Sequence, residues 1–144
     1  MSEFTLDHLG IAVPDLAKAL AFYRDTLGVA CTHTEEIPDQ MVRAAFLSAG
    51  ETDLELLEPT SDDSPIAKFI AKRGSGGIHH IALRVQNLQE TLDRLAAAGV
   101  QLIDREPRPG GHGKEIAFIH PKATGGVLLE LCAIPQADAN TAHP

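Results

Sequence analysis

The chain is written twice. DHLGIAVPDLAKAL, starting at Asp7, lies over HHIALRVQNLQETL, starting at His79, and the match sets His8 against His80, Val13 against Val85, Leu16 against Leu88 and Leu20 against Leu92, always 72 residues apart. Further along, Ala45 and Phe46 pair with Ala117 and Phe118 at the same spacing. Leu54, Glu55 and Leu56 pair with Leu129, Glu130 and Leu131 at a spacing of 75. A duplication with small insertions means that whatever one copy folds into, the other folds into as well, and the two share a core.

Each copy opens with a short apolar strand and then a helix. Asp15 caps a helix over Leu16 to Leu27 that stops at Gly28, and Asn87 with Glu90 forms a capping-box start for a helix that stops at Gly99. Leu16 and Leu20, like Leu88 and Leu92, stand four apart and give each helix one apolar face to lay on a sheet. Three strands follow in each copy: Val29 to Thr34, Val42 to Ser48 and Asp53 to Leu57, then Val100 to Ile103, Glu115 to Ile119 and Val127 to Ala133. The fold class is therefore α+β: two tandem βαβββ modules, residues 4–60 and 77–134, forming a curved, partly open mixed sheet. Between them Ser64, Pro65 and Gly74 bracket a linker helix over residues 64–74, and GSGG from Gly74 joins it to the second module. The polar tail, residues 136–144, has no periodicity and reads as frayed.

A chain of 144 residues supports one domain with a shared core rather than two independent ones. Its formal net charge of −8 argues against nucleic acid or an anionic membrane as partner. MSEFTLDHLG has no basic segment followed by an apolar one, and no apolar run approaches the roughly 20 residues of a membrane span, so a cytoplasmic protein is expected. Cys31 and Cys132 have no metal-binding spacing and read as buried thiols.

The chemistry lies in four residues. In an extended strand, alternate side chains share a face, so His8 lies with Gly10 and Ala12, and His80 with Ile78 and Ala82; His79 points the other way, toward packing or hydrogen bonding. Glu55 interrupts Leu54, Leu56 and Leu57, and Glu130 interrupts Leu128, Leu129 and Leu131. A carboxylate in such a strand is costly unless a cation meets it, and here two stand at equivalent positions. A pseudo-two-fold axis between the modules brings the four together as a mixed nitrogen and oxygen set suited to an octahedral Co, Mn, Ni, Fe or Zn ion. The loop RPGGHGKE, Arg108 to Glu115, with three glycines around His112 and Lys114, reads either as a glycine-rich turn or as a flap that closes over a ligand and offers it backbone amides or a cation.

DHLGIAV, ELLEPTSDDSPIAKF, GGIHHIALRV and GKEIAFIHPKATGGVLLEL together resemble the vicinal oxygen chelate superfamily, and within it the methylmalonyl-CoA epimerases. That resemblance implies metal ligation by His8, Glu55, His80 and Glu130, with Co2+ first and Mn2+, Ni2+ or Zn2+ next. It implies exchange of configuration at C2 of an acyl-CoA substrate through an enolate, and a homodimer. Proton transfer across the substrate plane needs two acid/base groups. Glu130 is the first candidate. Some members of the family carry a glutamate where this chain has Ala44, so that second base does not carry over, and Glu55 is the candidate in its place. Ser64 and Ile66 fall near the acyl end by the same resemblance, with Lys114, Lys122 and Arg73 as cations for the CoA tail. Two other members of the superfamily compete: a glyoxalase I-type lactoylglutathione lyase, with the same ligand set, and a resistance protein that binds a small molecule without catalysis. An extradiol dioxygenase would want two histidines, one carboxylate and usually a longer chain.

Overall fold

The computed structural model describes residues 3–135, so the polar tail from Gln136 lies outside the described residues. Eight strands form one sheet. They are β1 (Thr5–Ala12), β2 (Cys31–Ile37), β3 (Val42–Ala49), β4 (Thr52–Pro59), β5 (Gly77–Arg84), β6 (Arg108–Pro109), β7 (Glu115–Ile119) and β8 (Leu129–Ala133). Their order is β2-β3-β4-β1-β5-β8-β7-β6. The first strand of each module runs parallel to the last, β1 with β4 and β5 with β8, while β1 and β5 meet antiparallel at the centre. The pseudo-two-fold axis therefore passes between β1 and β5. The modules join within one chain, and the mixed sheet curls into a half-barrel.

Four helices accompany it: α1 (Leu16–Leu20), α2 (Pro65–Arg73), α3 (Leu88–Ala97) and α4 (Pro121–Thr124). The leucine stripes do what their spacing predicts. Leu16 and Leu20 of α1 pack on Ala45, Leu47 and Leu56, and Leu88 and Leu92 of α3 pack on Ala117, Ile119 and Leu131, so each module buries one face of its sheet under its own helix. The other face carries a second pair of clusters: Ala12, Ile37, Ala44, Phe46 and Leu57 under α2, and Ala82, Ile116, Phe118 and Cys132 in module two. Asp15 accepts from the Lys18 amide at 3.1 Å and Asn87 from the Glu90 amide at 3.0 Å, so both caps form. No described helix is long and apolar enough to cross a membrane.

Four local expectations need correction. Beyond Leu20 the first helix widens into a π-helical stretch, Ala21–Thr26, in which the Leu27 amide reaches the Phe22 carbonyl and the Thr26 hydroxyl donates to the Ala21 carbonyl. The Val29 amide bonds the Tyr23 carbonyl and closes that helix, so β2 starts at Cys31 and continues to Ile37. In module two, Val100 to Ile103 is not a strand and keeps one bridge, Leu102 to Ile119, because the Val100 amide is spent on Leu95 and the Asp104 carboxylate takes the Phe118 amide. The edge there is β6, two residues long, and Pro109 has no N–H with which to extend it. Finally, α4 was not anticipated: His120 caps it through the Lys122 amide, Pro121 opens it and Gly125, at φ +80°, ends it, so β8 starts only at Leu129.

Candidate metal centre

Strict alternation fails in β1 and β5 at the two places where the chemistry lies. Leu6 pairs with Leu83 but His8 pairs with Ala82, so Asp7 is an extra residue on β1. Likewise Gly10 pairs with His80 but Ile11 pairs with Ile78, so His79 is an extra residue on β5. These bulges are 72 residues apart and related by the duplication. A bulge lets successive side chains turn to the same side. Asp7 and His8 are both buried, and His79 sits beside His80 instead of on the opposite face. Ile78 consequently leaves the His80 face and is 59% exposed.

The four candidate ligands converge. His8 Nε2 lies 3.2 Å from His80 Nε2, 3.0 Å from Glu55 Oε2 and 3.4 Å from Glu130 Oε2, and His80 Nε2 lies 3.3 Å from Glu130 Oε1. None of the four is more than 6% exposed. Glu130 Oε2 is buried and makes no hydrogen bond, although His8 stands at ion-pair distance. Two imidazoles and the Glu130 carboxylate thus cluster within 4.8 Å of one another, with Glu55 joined to them through His8, and a buried orphan oxygen there is what a shared cation satisfies.

The electrostatics agree with that fit. Burial pushes the Glu130 carboxyl up to about 8, against the pull of His8 and with the repulsion of Glu55, and burial also raises Glu55. Burial works against charge on His8, yet the hydrogen bond to Asp7 and the carboxylates of Glu55 and Glu130 raise it to about 9. Burial would raise Asp7 too, but His8 and Lys114 hold its carboxyl well below the usual range. His80, buried and facing His8 and His79, is depressed, and burial lowers His79 to about 4. Burial thus disfavours the charged forms of Glu55, Glu130 and His80 alike.

Asp7 is the site residue that sequence reasoning missed. Its Oδ2 accepts from His8 Nδ1 at 2.7 Å, and Lys114 Nζ contacts both of its oxygens at 2.9 and 2.8 Å. The only available signal was the dipeptide itself, DH over HH across the duplication. Lys114, expected at the CoA tail, instead turns inward from the glycine-rich loop, and that loop packs on module one. His112 stacks on His33 at a ring-centroid distance of 4.8 Å and 13°, and its amide donates to Glu35 Oε1. Ser64 is fully buried, its hydroxyl accepting from the Ile66 amide and donating to the Gln40 carbonyl, so it shapes the wall rather than facing a ligand. Lys122 and Arg73 are exposed, and Arg73 donates to the Gly76 carbonyl. Ala44 is sealed in the cluster under α2, and Cys132 is a buried thiol beside Asp7, pushed up by burial.

Two of the spaces that adjoin the centre bear on its chemistry. One of about 10 Å³, bounded by His8, Glu55, Glu130, Phe46, Gly111 and Lys114, has room for a single water-sized species. The other, about 200 Å³, is bounded by Gln40, Ile66, His79, His80, Arg108 and Phe118. Gly10 guards the centre: a Cβ there would stand 2.1 Å from His80 Cε1. Gly10→Ala should push the His80 ring aside, lower divalent-ion affinity by roughly 10- to 100-fold and cost about 1–3 kcal/mol of stability through overpacking. Ion titration and thermal unfolding check this, and wild-type affinity in the variant would contradict it.

Residues 7–118 match the family model described as the Glyoxalase/Bleomycin resistance protein/Dioxygenase superfamily. The ethylmalonyl-CoA/methylmalonyl-CoA epimerase of Cereibacter sphaeroides is 44% identical over 88% of this chain and 95% of its own. A variant of Streptomyces coelicolor methylmalonyl-CoA epimerase, solved in complex with 2-nitronate-propionyl-CoA, superposes with a TM-score of 0.86 at 39% identity, over 94% of this chain and 97% of that one. A probable lactoylglutathione lyase of Vibrio cholerae is more distant, 29% identical over 96% of this chain and 97% of its own.

Proposed function

We propose, from the premise that this chain belongs to the Glyoxalase/Bleomycin resistance protein/Dioxygenase superfamily, that it is a divalent-metal-dependent methylmalonyl-CoA epimerase. The observation that carries the proposal is the convergence of His8, His80 and Glu130, with Glu55 against His8, all buried, from four adjacent central strands. The relatives at 44% and 39% identity supply the substrate class. The four residues would hold Co2+ first, with Mn2+, Ni2+ or Zn2+ as alternatives. A divalent ion bound there supplies positive charge against the enolate oxygens as they form.

The proton is moved by the chain's own groups. Glu130 is a buried carboxyl at the centre and can both take and return a proton. It removes the proton from C2 on one face. Glu55, its counterpart across the pseudo-two-fold axis, delivers one to the other face, so one proton leaves and one arrives at the same carbon. Ala44 leaves β3 without a carboxylate at that position, which passes the second role to Glu55. Ile66 borders the 200 Å³ cavity beside His80 and contacts the acyl part. Lys122, exposed at α4, is the candidate cation for the CoA tail, while Ser64 and Lys114 act through the wall and Asp7.

Exchange of the C2 proton of methylmalonyl-CoA with deuterated solvent tests the assignment. The metal-loaded protein should catalyse it and should not turn over the hemithioacetal of methylglyoxal and glutathione; the reverse result assigns the chain to the lyases. Glu55→Gln should retain the ion and slow exchange by about 10²- to 10⁴-fold, and unchanged exchange would remove Glu55 from the mechanism.

A further inference from the structure

The two β-bulges point to a function of their own. Each inserts one residue directly before a candidate ligand, and each inserted residue meets the Nδ1 of that ligand's ring: Asp7 Oδ2 lies 2.7 Å from His8 Nδ1, and His79 Nδ1 lies 2.9 Å from His80 Nδ1. In an unbulged strand both would face away, since neighbouring side chains alternate. We propose that Asp7 and His79 are positioning residues that fix the proton on Nδ1 of His8 and His80 and thereby present both Nε2 lone pairs to a divalent ion. The inference rests on the metal-binding part of the functional reading above.

The two partners are unequal. Asp7 is 6% exposed and its carboxylate is anchored on both oxygens by Lys114, which the loop between Gly110 and Glu115 carries across from module two. Arg84 Nη1 approaches the same carboxylate at 3.8 Å. An anionic acceptor that cannot rotate away fixes the tautomer and plane of the His8 ring and makes its Nε2 the stronger donor. His79 is a neutral partner, with its ring set edge-on against Phe69. If His80 donates from Nδ1, His79 accepts there and keeps its own proton on Nε2, while its ring borders the 200 Å³ cavity. One duplicated device thus makes two electronically different ligands, His8 being the tighter. It also explains why Lys114 turns inward: without it the Asp7 charge would be buried beside two further carboxylates.

The test uses the full chain and Zn2+ alone, with affinity measured by competition against a chelator and the bound nitrogen identified by histidine side-chain NMR of the Zn2+-loaded protein. In the wild type, His8 and His80 should both bind through Nε2 and carry a proton on Nδ1. Asp7→Asn keeps an acceptor but loses the charge and should weaken Zn2+ by roughly tenfold; Asp7→Ala should weaken it by roughly 100-fold. His79→Phe should weaken it less than Asp7→Ala does. Because Asp7→Ala leaves Lys114 unpaired, the double variant Asp7→Asn with Lys114→Met supplies a charge-balanced control and should match Asp7→Asn. Unchanged affinity in all the Asp7 variants, or a wild type that binds Zn2+ through His8 Nδ1, overturns the positioning role and leaves the metal reading intact. A wild type that binds no Zn2+ overturns both.

Discussion

Replacing Glu130 by Gln should stop proton exchange at C2, lowering the rate by about 10²- to 10⁴-fold at saturating ion, the usual contribution of a positioned acid/base group. The change is nearly isosteric, so the packing of β8 between β5 and β7 is preserved. Burial and Glu55 both disfavour ionisation of this carboxyl, and Gln, which carries no charge at any pH, removes that penalty. The metal-free variant should therefore melt no lower than the wild type. Ion affinity will fall, since one ligand is weakened, and raising the ion concentration restores occupancy without restoring exchange. Recovery of exchange at saturating ion would mean that Glu130 only holds the ion and that the proton is moved by another group.

A divalent ion should also stabilise the fold by several kcal/mol. A ligand that binds the folded chain alone contributes RT ln(1 + [L]/Kd), about 4 kcal/mol at a thousandfold excess over Kd, and in a chain of this size that corresponds to a rise of about 10 °C in melting midpoint. The effect is expected to be large because an ion held by the proposed ligands would join β4, β1, β5 and β8, the four central strands, across the seam between the modules. His8→Ala should abolish most of the increment. An equal rise in wild type and variant would place the stabilising ion somewhere other than this centre.

Much of this was legible in the sequence because the fold is symmetric. A constant spacing of 72 between copies fixes which residues are equivalent, and equivalence alone pairs His8 with His80 and, after a small insertion, Glu55 with Glu130. Capping was equally readable: Asp15, Ser64 and Asn87 all cap as their positions demand. The signal failed where one residue breaks a period. Nothing in DHLGIAV or HHIALRV announces a bulge, so strict alternation put His79 on the wrong face and hid Asp7. It failed again where a side chain or a proline substitutes for a ladder bond, as Asp104 and Pro109 do at the module-two edge. Lys114 was visible as a cation but not as Asp7's partner, because the two are 107 residues apart and meet only when one module's loop crosses to the other.

We propose that four strand residues share one cation. Crystals of the Co2+-loaded protein, with the ion located by its anomalous scattering, test it most directly. One ion per chain is expected, bound by Nε2 of His8 and His80 and by carboxylate oxygens of Glu55 and Glu130. An ion seated on exposed acidic groups away from these residues, or none bound at all, would contradict it.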